Sequence, residues 1–327
     1  MVEIWLPLLG GLILLLAGGE LLVRGSVQVA AALGVSPLVI GLTLVGFGTS
    51  TPELVTSVQA ALIAAPGIAY GNIVGSNIAN ILLIVGIASL ISPIAVASMA
   101  LKRDALFMVL VAVVFAGVAA AVPMSRAIGA GLVVALVTYV YLAFRQERNL
   151  AAAGHTAVYD KSQALQEVDT ALAPPAHARS SLPLSILIAL AGLALVVLGG
   201  IFLVDGAVSL ARGFAISETI IGLTIVAVGT SMPELVTSVV AGLKRQGDVA
   251  FGNIVGSNIY NLLGIGGATA LIAPSRVPAE IVVFDNLVMV GVTLALVLFA
   301  WSGRRIARWE GALLLAGYGL YLYVLWP

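Results

Sequence analysis

The chain has 327 residues, 61% of them hydrophobic and 9% charged, with 36 glycines and fifteen basic side chains balanced by fifteen acidic ones. Soluble domains are about 45–50% apolar and about 25% charged because their surfaces are hydrated, so lipid is the solvent for most of this surface, and zero net charge leaves no electrostatic footprint for nucleic acid. With no Cys, and with His155 and His177 both in one polar stretch, the usual ligands of metalloenzyme and redox centres are lacking.

A helix crossing about 30 Å of hydrocarbon needs about 20 mostly apolar residues. Such runs, separated by charge, Pro or Gly clusters, lie near 4–23, 36–62, 70–91, 104–122, 127–144, 184–204, 217–243, 251–273, 281–301 and 308–326, and predict ten transmembrane helices. The first follows Met1-Val2-Glu3-Ile4-Trp5, which lacks a basic n-region, and is too long for a signal-peptide core, so it reads as a span. Between the fifth and sixth runs lies one polar stretch, Arg145 to Ser181, with Glu147, Arg148, Asp160, Lys161, Glu167, Asp169 and Pro174-Pro175. It reads as an extramembrane linker with a short helix around Lys161 to Val168. The terminal aromatics Tyr318, Tyr321, Tyr323 and Trp326 read as an interface belt.

An internal repeat organises these runs. The segment from Gly41 to Ser57, with Gly48-Thr-Ser-Thr-Pro-Glu53 at its centre, recurs 181 positions later from Gly222 to Ser238, with Gly229-Thr-Ser-Met-Pro-Glu234. At the same displacement Gly71-Asn-Ile-Val-Gly-Ser-Asn-Ile-Ala-Asn80 recurs as Gly252-Asn-Ile-Val-Gly-Ser-Asn-Ile-Tyr-Asn261, and 31 of the 51 positions from Ser36 to Gly86 are identical without a gap. Weaker echoes pair Gly18-Gly19 with Gly199-Gly200, Gly25 with Gly206, Pro93 with Pro274, and Asp104 with Asp285. The chain therefore reads as a five-helix repeat over 1–145, a cytoplasmic linker over 146–182 and a second five-helix repeat over 183–327. Five is odd, so the second copy enters the membrane from the opposite face: an all-α polytopic protein of two inverted repeats. With the linker in the cytosol, twelve of the fifteen Lys and Arg fall on the cytoplasmic side and only Arg126, Arg212 and Arg276 outside, as the positive-inside rule requires. Both termini are then outside.

Ionisable residues at the centre of a span cost about 2.5–3.5 kcal/mol each; only Glu53 and Glu234 sit deep. Each follows a Gly-Thr-Ser-x-Pro element in which Pro52 or Pro233 removes a backbone donor, predicting two half-helices with exposed backbone groups. Ser50-Thr-Pro-Glu53 and Ser231-Met-Pro-Glu234 also fit a capping box, in which Ser caps the new half-helix. Two such breaks around a pseudo-two-fold axis near the midplane are the usual position of a transporter's site. Ser76 and Asn80 are four apart, as are Ser257 and Asn261, so each pair projects from one helical face. Small-residue helix packing explains these segments in part, but opposite a Glu and freed carbonyls they also make an all-oxygen cluster, suited to Ca2+ or Na+ rather than to transition metals. Two carboxylates balance one Ca2+ or two Na+. Other acids, among them Glu20, Asp205, Glu218, Glu280 and Glu310, lie near span ends or in loops and read as solvated, and Asp104 and Asp285 read as helix N-caps.

The two repeated blocks resemble the alpha repeats of the cation/Ca2+ exchanger superfamily, nearest to the prokaryotic Na+/Ca2+ exchangers, and the five-plus-five layout extends the likeness over nearly the whole chain except the linker. The resemblance implies a ten-helix antiporter in an inner membrane, whose second, third, seventh and eighth helices form a core around several cation sites while the long first and sixth slide past it. It implies ligands Glu53, Thr49, Ser50, Ser76 and Asn80 in the first half and Glu234, Thr230, Ser231 and Ser257 in the second, with backbone carbonyls near Gly46 and Ala227. Some members carry Asp where this chain has Asn261, which bears on the charge of the site. Exchange of Na+ for Ca2+ is the expected function, with no covalent chemistry and no cofactor; Ca2+/H+ exchange on the same glutamates is the first alternative. A cation channel would use the same oxygens. An intramembrane enzyme lacks its equipment, since no span holds His, Cys or a close Asp pair.

Overall fold

The computed structural model describes residues 2–33, 46–96, 99–149, 159, 161, 163, 182–244 and 247–326, which are predominantly helical. In chain order the long elements are α1 (Val2–Ala32), α2 (Thr51–Leu62), α3 (Pro66–Ile91), α4 (Met99–Ala121), α5 (Arg126–Asn149), α6 (Leu182–Phe214), α7 (Glu218–Thr230), α8 (Met232–Leu243), α9 (247–272), α10 (281–303) and α11 (Arg308–Leu325). Among the described residues six of these, α1, α3, α4, α5, α6 and α10, are long and apolar enough to cross a membrane; α7 and α8, bent by 48° at Ser231, make a seventh if they form one span. Of the remaining expected runs, 251–273 and 308–326 are helical as α9 and α11, and 36–62 lies partly outside the described residues.

Helix α3 is enclosed on every side: each residue from Gly67 to Ala79 is buried, including the polar Asn72, Ser76 and Asn77, whose side chains must then find partners inside the protein. Its glycines set how closely it packs. A Cβ on Gly71 or Gly75 would lie 2.9 or 2.5 Å from the backbone of Leu223, so α3 and α7 meet main chain to main chain. Helices α3 and α9 each contain a π-turn, at Asn80–Val85 and Tyr260–Ile265, immediately after the repeated Gly-Asn-Ile-Val-Gly-Ser-Asn motif. π-Turns inside α-helices are frequent at functional sites because they rotate the following side chains out of register.

Helices α1 and α6 lie along one another. Glycines recur every seven residues on both, at 11, 18 and 25 and at 192, 199 and 206. A Cβ on Gly18 would lie 2.7 Å from Val196 N, on Gly199 2.6 Å from Leu15 N, and on Gly206 2.6 Å from Leu8 N, so the two helices run antiparallel with the glycines as contact points. Short pairings tie the periphery. Ile94–Ala95 pairs antiparallel with Arg305–Ile306, and Met124 bridges Ser275; shifting the first pair by 181 positions places it at the second, with the two halves exchanged.

Several sequence expectations fail here. Asp104 and Asp285 are not N-caps. Helix α4 begins at Met99, leaving Asp104 inside it and paired with Arg103 at 2.9 Å; Asp285 is helical and accepts a hydrogen bond from Tyr321 Oη at 2.9 Å. That bond removes Tyr321 from the interface belt, and Tyr318 is buried beside it, whereas Tyr323 and Trp326 are exposed. Glu310 is not solvated: its buried carboxylate accepts from the Ala307 N–H at 2.7 Å, serving the first turn of α11. Nor is the polar stretch around Lys161 wholly solvated, since Lys161 is fully buried.

Candidate ion site

Two chain breaks build the site. A helical turn at Gly46–Gly48 leads to Thr49 and Ser50, after which α2 starts with Pro52 in its first turn; α7 ends at Thr230, and α8 starts after Ser231 with Pro233 in its first turn. Proline lacks an N–H and fixes φ, so it tolerates a first turn and not a helix interior. The two breaks have the same backbone: Ser50 has φ −85°, ψ 7° and Ser231 has φ −83°, ψ 10°.

Neither serine caps its own helix, so the capping-box alternative does not describe the hydroxyls. Instead they cross over. Ser50 Oγ donates to Glu234 Oε1 at 3.3 Å, and Ser231 Oγ donates to Glu53 Oε1 at 3.1 Å. Each break thus serves the carboxylate of the other repeat. Both carboxylates are buried, and the second oxygen of each, Oε2, has no hydrogen-bond partner. A buried anion with an unsatisfied oxygen is costly unless a cation compensates it. Among the described residues no group of three or more His, Cys, Asp or Glu could hold a metal, so among them the acidic complement of this site is these two glutamates.

The asparagine segments latch the breaks in place. Asn72 donates to Glu53 O at 3.2 Å and Ser57 Oγ at 2.9 Å, and its Oδ1 accepts from Thr230 Oγ1 at 3.0 Å. In the other repeat Asn253 donates to Glu234 O at 3.3 Å, Thr237 Oγ1 at 2.8 Å and Ser238 Oγ at 2.9 Å. Sequence reasoning stopped at Ser76 and Asn80 and missed this pair. The signal was present: Asn72, Ser76 and Asn80 are spaced by four, as are Asn253, Ser257 and Asn261, and share a helix face.

Of the predicted side chains, Glu53, Glu234, Thr49, Ser50, Ser76, Thr230, Ser231 and Ser257 are connected through hydrogen bonds around the breaks. Ser76 Oγ donates to Ala227 O at 3.4 Å, which is also within 3.3 Å of Thr230 Oγ1; Ser257 Oγ donates to Glu234 Oε1 at 3.4 Å. Asn80 Nδ2 donates to Asn258 Oδ1 at 2.9 Å, leaving Asn80 Oδ1 without a partner. Asn261 is buried with neither its Nδ2 nor its Oδ1 hydrogen-bonded. Gly46 opens the turn that precedes the first break, and the residues just before it, 34–45, lie outside the described residues. One further group enters unforeseen: Lys161 Nζ donates to Thr49 Oγ1 at 2.6 Å and lies 3.5 Å from Glu234 Oε1. Chemically the site is a buried oxygen cage of carboxylates, hydroxyls, amides and carbonyls, the donor set of hard cations.

Known proteins resemble this chain over nearly its whole length. The sodium/calcium exchanger protein family model matches residues 3–145 and 184–326. The CaxA protein of Alkalimonas amylolytica is 40% identical, the alignment covering 96% of each chain, and the sodium/calcium exchanger MaX1 of Methanosarcina acetivorans is 36% identical with 98% of each covered. Among solved structures the sodium-calcium exchanger NCX_Mj superposes with a TM-score of 0.63 at 32% identity over 99% of both chains. On the match of both repeats and the breadth of these likenesses, the chain belongs to the sodium/calcium exchanger family of membrane transporters.

Proposed function

We propose that the protein is a secondary antiporter that exchanges Na+ for Ca2+ by alternating access, with Glu53 and Glu234 sharing the cargo cation. The observation that carries this reading is the reciprocal pair Ser50–Glu234 and Ser231–Glu53, which brings both carboxylates and both breaks to one point. Thr49, Ser50, Ser76, Asn80, Thr230, Ser231, Ser257 and Asn261, with the carbonyls of Gly46 and Ala227, complete the shell. Two carboxylates neutralise one Ca2+ or two Na+, so exchanging these ions keeps a buried site near neutrality, which its low dielectric demands. The matched breaks, the matched π-turns and the exchanged edge pairings support ten spans arranged as two inverted repeats, 1–145 and 183–327, joined by a linker over 146–182. The Lys and Arg distribution supports a cytosolic linker with both termini outside, and the prokaryotic relatives support a plasma (inner) membrane.

The test is flux in proteoliposomes. Vesicles loaded with Na+ and diluted into Na+-free medium take up Ca2+, and loading with K+ at equal ionic strength removes the drive. A pH gradient without Na+ gives little uptake. Strong uptake on that gradient, with indifference to Na+, would replace this reading by Ca2+/H+ exchange.

A further inference from the structure

Lys161 comes from the polar stretch between the repeats, where a lysine is expected in water, yet its side chain is 0% exposed. Its Nζ donates to Thr49 Oγ1 at 2.6 Å, to Ser50 Oγ at 3.4 Å and to Ser257 Oγ, and it lies 3.5 Å from Glu234 Oε1. The Tyr260 ring centroid is 5.8 Å from Nζ, within reach of a cation–π contact. Tyr159, two residues earlier in sequence, packs against the main apolar core. An ammonium offers three donors and no acceptor. It therefore requires what a hard metal cation requires, a shell of oxygens around a point charge, and here it takes three hydroxyls and one carboxylate from the residues assigned above to the cargo.

We infer that Lys161 is a tethered mimic of the cargo: its ammonium occupies the cation position between Thr49, Ser50, Ser257 and Glu234, and docking of Lys161 and binding of Ca2+ exclude one another. The inference rests on the exchange reading of the site. Hydroxyl oxygens occupied by Nζ cannot also point at a metal ion. Charge acts in the same sense: Ca2+ plus an ammonium against two carboxylates leaves a net positive charge in a buried site, whereas Ca2+ alone leaves none. Because Lys161 belongs to the chain, it competes at a local concentration set by the linker and not by the solution. Lys161 then acts as an internal brake on exchange, released as the cation concentration rises. A binding-competent fraction of one tenth weakens the apparent Ca2+ affinity tenfold.

The full-length protein in lipid nanodiscs provides the test, with Ca2+ itself as the probe. An amine-reactive reagent, followed by peptide mass spectrometry, compares Lys161 with Lys244, which is exposed. In ion-free buffer Lys161 reacts at least tenfold more slowly than Lys244, and saturating Ca2+ brings it to a comparable rate. In equilibrium Ca2+ binding, Lys161→Met lowers the half-saturating concentration by about tenfold, while Lys161→Arg stays near the parent. Equal reactivity of the two lysines without ions, protection of Lys161 that persists in saturating Ca2+, or an unchanged half-saturation in Lys161→Met each overturns the mimic and leaves the exchange reading intact. Absence of Ca2+ binding by both the parent and Lys161→Met overturns the exchange reading, and this inference with it.

Discussion

Helix pair α1–α6 and the core around α3 and α9 solve the packing problem in opposite ways. Between α1 and α6 the contacts at Gly11, Gly18, Gly192 and Gly199 are backbone on backbone. Around α3 and α9, buried amides and hydroxyls reach from one helix to the next: Asn72 alone bonds to Glu53, Ser57 and Thr230. Buried hydrogen-bond networks fix one arrangement, because every displacement leaves a polar group unsatisfied at a cost of about 1–3 kcal/mol. Smooth apolar contact between small residues has no such penalty for sliding, and packed helices move by shear. On the exchange reading proposed above, this difference gives ion recognition to the core and movement to the pair.

That division can be broken from either side. The largest effect belongs to the core. Glu53→Gln and Glu234→Gln each keep size and remove charge, and each lowers Ca2+ flux by about a hundredfold or more, the loss of about 3 kcal/mol expected when one partner of a buried charge pair is removed. Reconstitution at matched protein density checks this, with elution as a single folded species as the control; near-normal flux in either variant contradicts the assignment of both glutamates. A smaller effect separates movement from binding. A Cβ on Gly11 would meet the backbone of Gly199 at 2.8 Å, whereas one on Gly10 meets nothing within 4 Å. Gly11→Val therefore slows flux by about tenfold, in the range of overpacking costs, with Ca2+ affinity near the parent's, and Gly10→Ala leaves both unchanged. Equal effects of the two substitutions would show that this interface is not special.

The smallest effect sharpens the core itself. Asn261 is buried with its amide unpartnered, in a position where Asp would add a third carboxylate. Asn261→Asp shifts the Na+ concentration for half-maximal flux by a few-fold, the effect of about 1 kcal/mol from one added charge, with little change in thermal stability. A variant that matches the parent at every Na+ concentration places Asn261 in packing alone.

Much of the site was legible because the chain states it twice. The Gly-Thr-Ser-x-Pro-Glu element predicts a broken helix from proline chemistry, and both breaks have the same backbone angles within a few degrees. Glycine spacing on α1 and α6 was visible as paired echoes, although their antiparallel contact needed the structure. The features that escaped are long-range. Asp285 pairs with Tyr321 and, in the first repeat, Asp104 lies against Tyr139; the two tyrosines are 182 positions apart and not 181, with Val140 at the exact repeat position, so the register of the repeat gave no hint of the pairing. Lys161 is one lysine in a polar stretch, and its partners lie 112 and 96 positions away in sequence at Thr49 and Ser257. Local pattern determines where a helix breaks; it does not determine which distant charge folds back onto the break. The serines illustrate the same point, since a capping motif read locally becomes a crossed contact once the second repeat supplies a carboxylate.

The central claim is that one cation is shared by both repeats, and equilibrium Ca2+ binding tests it most directly. The parent chain should bind one Ca2+ in exchange for Na+. Glu53→Gln and Glu234→Gln should each weaken that binding by about a hundredfold, and the double substitution should cost far less than the two losses added, because both act on a single ion. Two Ca2+ per chain, with each substitution abolishing one and sparing the other, would show two independent sites and contradict the shared one.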